Sequence, residues 1–453
     1  MRIRNDEGGQ MLVMLAVSLS ALMGLMALAV DVGMLFHVRR EVQIATDAAA
    51  AAGALDYHYN PSGSTARAAA QAAASQNGVM NGSNGRIVNV TFPPSSSYSS
   101  PYSTGFVKAV VTVPNPTFFM KMFHLTSVNI VASAVAGPGA SQGCVWALGN
   151  SGTDISGSGD LTASGCEIYD NSSSGTALDV TGGISAKQVG VTGGSHGTVN
   201  PSAITGMTPV RDPLSSLTAP GIPGSSGSGC LPQRTYTTGS HTLGSGCYDG
   251  ISISGGTLTL TGGSYVINGN INVSGGASVT FNSGNYIING NLAHSGSGTV
   301  TLQNASYTIS GAMSNNGSGS LSLSSGQYVA EGGLQFTGSG LVSGSSVSFY
   351  TGGASTLSGS MNLTAPIGGA ENGILVFQAR GDGSTMAITE SGSMALQGIV
   401  YAPSAPVGVG GSGSGNVYAD FVVGSLNISG TPQLQNYASR NTTTPLTKIV
   451  MVQ

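Results

Sequence analysis

Tyr265, Tyr286, Tyr307 and Tyr328 follow one another at intervals of 21 residues. Two glycine columns keep the same interval: Gly269, Gly290, Gly311, Gly332 and Gly275, Gly296, Gly317, Gly338. So do two apolar columns, Ile271, Leu292, Met313, Leu334 and Val279, Val300, Leu321, Val342. A fixed period of this length marks stacked supersecondary units, none of which can bury its inward face without its neighbours. Within each unit, as in residues 265–273, apolar and small polar residues alternate and glycine marks the corners. That is strand and turn, with no helical period. Coils stacked about 4.8 Å apart satisfy the pattern, so a parallel β-helix or closely related β-solenoid with coils of about 21 residues is expected. Charge agrees: only 7% of residues are charged, and between Arg234 and Arg380 there is no Lys or Arg. Stacked identical charges would repel.

The same texture runs more loosely on both sides, which gives a solenoid over 144–436. It is most regular at 264–353 and is interrupted by a Pro-rich loop excursion at 201–234. Residues 374–379, 396–403 and 417–428 read as its final coils, and 437–453 as a C-terminal tail.

The chain opens differently. Residues 11–30 are apolar and uncharged. Twenty residues at about 1.5 Å each span about 30 Å, the thickness of a bilayer core. A signal-peptide core is shorter, about 7–15 residues, and here the helical pattern continues past 30 without a breaker. A retained transmembrane helix is expected, with 1–10 as a cytoplasmic N-terminus. Arg2 and Arg4 on one side nearly balance Arg39 and Arg40 on the other. The uncharged, Cys-bearing remainder decides for an extracytoplasmic C-terminal part. Ala16, Ser20 and Gly24 form a small-residue face suited to helix association. Beyond the span, Arg39, Gln43 and Asp47 share one helical face beside Val38, Val42, Ala45 and Ala49, so this half packs on a soluble domain. A second Ala-rich helix is expected at 64–76, with Ser64 or Thr65 as N-cap. Strands are expected at 86–92, 106–113 and 128–136, with an aromatic cluster at 117–123 between the last two. Residues 31–137 thus read as a pilin-like α+β domain, a long N-terminal helix over a small antiparallel sheet. Residues 138–143 read as a linker.

The residues of this region resemble the N-terminal segment of TadE/TadG-like proteins of the tight-adherence, Flp-type pilus system. The likeness lies in Gly9-Gln10, the apolar span, Asp31-Val32-Gly33, Arg39-Arg40, and then Val42-Gln43-Ile44-Ala45-Thr46-Asp47 leading into the alanine run that ends at Gly53-Ala54. It covers about 45 residues and departs from the family pattern at Val42 and Thr46. The aromatic cluster also resembles a stretch in this family. The resemblance implies pilus assembly in the bacterial inner membrane, a single pass with N-terminus inside, and other pilus-assembly or pseudopilin-like proteins as partners.

Catalytic chemistry is sparse. Cys144, Cys166, Cys230 and Cys247 are even in number and follow the span, so disulfides are permitted and three pairings are open. Cys144 and Cys166 lie about one coil apart, within disulfide reach. No CxxC or His cluster suggests a metal. Two acidic groups, Asp154, Asp160, Glu167, Asp170 and Glu371, Asp382, Glu390, Asp420, are the material for a carboxylate pair in a polysaccharide-active enzyme. Residues 139–143 match GxSxG, but no helix follows to expose the serine. Residues 408–413 match GxGxxG, but strand-like sequence follows. A nucleic-acid partner is excluded for want of a basic stripe. The reading is a non-enzymatic envelope protein with no catalytic, cofactor or metal site. The alternatives are an adhesin binding surface glycans along the tyrosine and asparagine rows, and a β-helix polysaccharide-active enzyme.

Overall fold

The computed structural model describes residues 7–93, 104–222, 229–390, 394–412 and 415–452. The chain divides into two units, Met1–Gly139 with Thr447–Gln453, and Ala140–Leu446. Most of the expected cytoplasmic N-terminus lies outside the described residues.

In the first unit, α1 (Glu7–Tyr59) is one helix of 53 residues with no proline to break it. Between Met11 and Val30 no side chain is buried; from Asp31 onward one face is covered, with Val42, Ala45, Ala49, Ala50 and Ala54 in the core. α2 (Gly63–Gln76) packs against that face through Ala66, Ala70 and Ala74. Small side chains let the two helices approach closely: a Cβ on Gly53 would stand 3.2 Å from the Ala70 Cβ and 3.0 Å from Val107 Cγ1. The helix starts earlier than the sequence suggests. Its N-cap is Ser62, with no side-chain capping bond, and the Ser62 hydroxyl meets the Ser64 hydroxyl instead.

β1 (Ile87–Thr91), β2 (Val107–Pro116) and β3 (Ser127–Ala140) form an antiparallel meander, in register at Ile87↔Thr112 and Val107↔Ala136. Their alternate residues Val88, Val90, Val107, Ala109, Val111, Ile130 and Ala132 complete the core under the helices. Two expectations fail here. The linker at 138–143 does not form, because β3 continues through Pro138 to Ala140. The C-terminal residues are not a tail. Thr447–Met451 is a strand on the open edge of β3, and the Val452 N–H donates to Val135 O at 2.9 Å. A short β-branched run paired with an exposed sheet edge removes that edge from solvent. The solenoid is therefore an insertion between two neighbouring strands of one sheet.

The second unit is a parallel β-solenoid of about 13 turns, a stack of roughly 60 Å at the strand spacing. The repeat sets its register: Tyr265↔Tyr286, Tyr286↔Tyr307, Tyr307↔Tyr328, with Ile271↔Leu292↔Met313↔Leu334 in the next column. The four tyrosine rings stack inside the coil, with centroids 4.9, 5.1 and 5.2 Å apart.

Stacking order departs from chain order. The coils run from Arg234 up to Ile428, and Asn416–Ile428 then pairs with Gly143–Ala147 (Phe421↔Val145). The stack continues through Leu161–Asp170 and Leu178–Val191 to Ile204–Thr205. The coils expected to be final, 374–428, thus lie inside the stack, covered by the coils that come first in sequence.

The Pro-rich excursion is the return path this order demands. Met207 N–H donates to Val191 O, and Asn171 exchanges two hydrogen bonds with Val210. Asp212 then accepts from the Tyr401 hydroxyl, and Leu214 O from Arg380. At the opposite end, Leu231 N–H reaches Cys247 O, and Cys230 is bonded to Cys247. Residues 207–214 are a strap along the coils.

Candidate functional site: a latched apolar loop and the solenoid's buried carboxylates

Three neighbouring backbone N–H groups, those of Phe118, Phe119 and Met120, donate to the carboxylate of Asp31, at 3.0, 2.9 and 2.7 Å. They open a short 3-10 turn, Met120–Phe123, at the tip between β2 and β3. Free N–H groups at a turn's start are matched by an anionic acceptor. Inside the tip, Thr117 Oγ1 donates to Leu125 O, and Leu125 N–H to Met120 O at 3.2 Å. Asp31 is 2% exposed, whereas the side chains of Phe118, Phe119, Met122, Phe123 and Leu125 face outward. Beside the tip a groove of about 350 Å³ runs between α1 and β3, lined by Val32, Leu35, Phe36, Arg39, Ile130 and Val131. The sequence marked Asp31 and the aromatic cluster separately; the backbone acceptor role that joins them has no side-chain signature.

The other motif residues divide. Gln43 Nε2 donates to Asp47 Oδ1 at 2.6 Å and reaches Ser133 O at 3.5 Å, so this pair is used within its own unit. Arg39 and Arg40 are exposed. Ala16, Ser20 and Gly24 lie on the bare half of α1, where the Ser20 hydroxyl bonds back to Ala16 O and the space beside Gly24 is open.

In the solenoid both disulfides form within neighbouring coils, Cys144 to Cys166 with Cα atoms 5.3 Å apart and Cys230 to Cys247 with 4.6 Å. Tyr265, Tyr286, Tyr307 and Tyr328 are at most 2% exposed, and their hydroxyls donate to backbone carbonyls of Leu243, Asn282, Gln303 and Ser324. They are a packing ladder, out of reach of a glycan.

The carboxylates hold turns together. Asp160 accepts Gly183 N–H; Asp382 accepts the Gln378 amide and Ser384 N–H; Glu390 accepts Gly415 and Gln433 N–H groups; Glu371 accepts the Gln327 amide. Glu167 accepts the Tyr169 hydroxyl at 2.7 Å, with Lys187 Nζ 4.0 Å away. Asp154 and Asp170 are brought together, both enclosed. Burial and then the charge of Asp170 push Asp154 up to about 7. Burial pushes Asp170 up to about 6, against the Ser172 N–H bond that lowers it. Burial likewise pushes Asp420 up to about 8, opposed by its bond from Tyr437 N–H. A cleft of about 790 Å³, lined by Gln142, Thr162, Lys187, Gln433 and Asn436, has no carboxylate in its wall.

These shifts have a pH signature. An aspartate whose pKa is raised on folding contributes stability that is full below its unfolded value and is lost as pH rises through the folded one. Buried His294, held below its ordinary value by burial, acts in the opposite sense and only below about pH 6.5. Between pH 6.5 and 8 the aspartates act without that opposition. The solenoid's thermal midpoint is expected to fall by roughly 5 °C over that interval. Asp420→Asn should remove much of the fall; an unchanged midpoint from pH 6.5 to 8 in the native chain contradicts the assignment.

Ser141 of the GxSxG match is 4% exposed, and its hydroxyl accepts Gly143 N–H at 3.1 Å. Residues 408–411 of the GxGxxG match lie in the strand Met394–Gly411, and Gly413 lies outside the described residues. Among the described residues no group of three or more His, Cys, Asp or Glu is placed to hold a metal.

One described helix is long and apolar enough to cross a membrane, and none of its most apolar stretch is buried. With the small sheet built on its other half and the parallel coils that follow, this defines an α+β unit on a long N-terminal apolar helix that carries a β-solenoid. The family models agree over the first unit. Residues 9–56 match the family described as putative Flp pilus-assembly TadE/G-like, and residues 50–136 the family described as putative Tad-like Flp pilus-assembly. Together the two matches span residues 9–136 of the first unit, and the solenoid lies outside both. No curated protein and no solved structure matches the chain.

Proposed function

We propose that this protein is a non-enzymatic component of a Flp/Tad-type pilus-assembly apparatus. Residues 11–30 anchor it in the bacterial inner membrane, with the following residues extracytoplasmic. One observation carries the reading: the half of α1 that the fold leaves bare is the apolar span of the TadE/G-like match, while the half that follows lends one face to the core of a domain. Lipid is the solvent that an uncovered apolar helix of this length requires. The face of Ala16, Ser20 and Gly24 meets the helix of another assembly protein, since small residues allow close helix contact in lipid. Gln43 and Asp47, already paired with each other, support the domain rather than the partner. The solenoid supplies a stiff rod whose two disulfides suit an oxidising compartment.

The test is recovery of partners with the full-length chain from detergent-solubilised membranes. The native chain is expected to bring Flp pilus-assembly proteins with it, and Gly24→Leu to reduce their recovery several-fold while staying in the membrane fraction. Equal recovery with both chains refutes the association face.

A further inference from the structure

α1 places a charge where its apolar surface has not ended, since Asp31 is followed by Val32, Met34, Leu35 and Phe36. A bare carboxylate at the edge of a bilayer is costly. Here it is fully matched by the three N–H groups of the loop. The same bonds fix the loop's position along the helix. Its backbone at 118–120 is held level with Asp31, the first residue past the 11–30 span.

What the loop presents at that level is apolar. Phe118 is 58% exposed, Phe119 49%, Met122 81%, Phe123 76% and Leu125 54%. Scattered exposed apolar residues are ordinary, but five among the eight residues 118–125 concentrate them on one short loop. Phe36 on α1, 66% exposed, lies within two turns of Asp31. The charged or titratable side chains within 117–126 are Lys121 and His124; no acid is present. Exposed Phe, Met and Leu side chains with a lysine among them suit an interfacial contact: the apolar groups enter the headgroup–acyl boundary and the cation reaches out to phosphates.

We infer that residues 118–125 are a second membrane contact. The loop inserts its apolar side chains into the headgroup–acyl boundary of the leaflet where α1 emerges, Lys121 lies at the anionic headgroups, and Asp31 holds loop and helix together. This rests on the reading of 11–30 as a membrane span. Two points of attachment fix the rotation and tilt of the helix, which a single span leaves free.

Because all four native cysteines are in disulfides, one added cysteine is a unique labelling site. The full-length chain is placed in nanodiscs of phosphatidylethanolamine and phosphatidylglycerol, carrying an environment-sensitive fluorophore at Leu22→Cys, Met122→Cys or Met80→Cys. Met80 is exposed and lies off the loop. The expected result is quenching at 22 by deep nitroxide lipid. At 122, quenching by shallow nitroxide lipid should be at least threefold stronger than at 80, with iodide reaching 80 but not 122. Adding Asp31→Ala should return 122 to iodide access; persistent lipid quenching there removes the carboxylate from the assignment. If 22 is lipid-quenched while 122 behaves like 80, the loop contact is wrong and the span stands. If 122 is shielded from both quenchers, the loop meets protein, and the lipid assignment is likewise overturned. Absence of lipid quenching at 22 sinks the span and the loop together.

Discussion

Valine in place of Gly317 is expected to lower the solenoid's thermal midpoint by about 10 °C, followed by the β-sheet circular dichroism of the full-length protein in detergent. Alanine in place of Gly276 should move it by no more than about 2 °C. The two glycines lie in the same part of the repeat but face different surroundings. A Cβ on Gly317 would collide with the carbonyl oxygen of Gly296 and with Ser295, backbone of the adjacent coil, whereas nothing stands within 4 Å of a Cβ on Gly276. The obstructing carbonyl cannot move away freely, because it accepts the Gly319 N–H at 2.9 Å. The next coil is tied on in turn, with Gly340 N–H donating to Gly317 O at 3.1 Å. Forced overpacking costs about 1–3 kcal/mol, and loss of a buried backbone bond adds about 1–3 kcal/mol. At about 2–4 °C per kcal/mol for a large domain, the sum gives the stated shift. Equal melting of the two variants would mean that the glycine columns mark turns only and do not set how closely coils approach.

The repeat made this part of the fold legible. A single spacing of 21 residues gave the coil, the pairing of each tyrosine with the next and the inward columns, because in a parallel stack register and period are the same quantity. The disulfide between Cys144 and Cys166 follows from the same fact, 22 residues being close to one turn. Alternation likewise gave β1, β2 and β3 to within a few residues, and helical spacing gave the inner face of α1, where Val42, Ala45 and Ala49 are buried and Val38 partly so.

Other features had no such signal. Periodicity says that each coil rests on a neighbour, but not what covers the ends of a run. The pairing of Phe421 with Val145 joins two segments that sequence leaves unconnected. Residues 201–234 look like an excursion until that order is known, and only then does a strap with anchor points at Val210, Asp212 and Leu214 become necessary. The strand Thr447–Met451 is too short to be told from a tail without the edge of β3 beside it. The latch was half visible. A lone carboxylate just past an apolar span needs a partner. That the partner is a set of main-chain N–H groups 87–89 residues away lies beyond any side-chain pattern.

The second large effect is on the cell. With the protein as an anchored member of the assembly apparatus, a clean deletion is expected to abolish surface filaments, and plasmid-borne native chain to restore them. A chain whose 11–30 span is interrupted by two lysines should fail to restore them, because a charged pair near the bilayer centre costs about 5–7 kcal/mol on the insertion scale and abolishes anchoring. Scoring surface attachment beside filaments separates assembly from adhesion. Electron microscopy of filaments in the deletion strain is the most direct measurement: loss of filaments together with attachment is the predicted result, and filaments of normal number and length would contradict a role in pilus assembly.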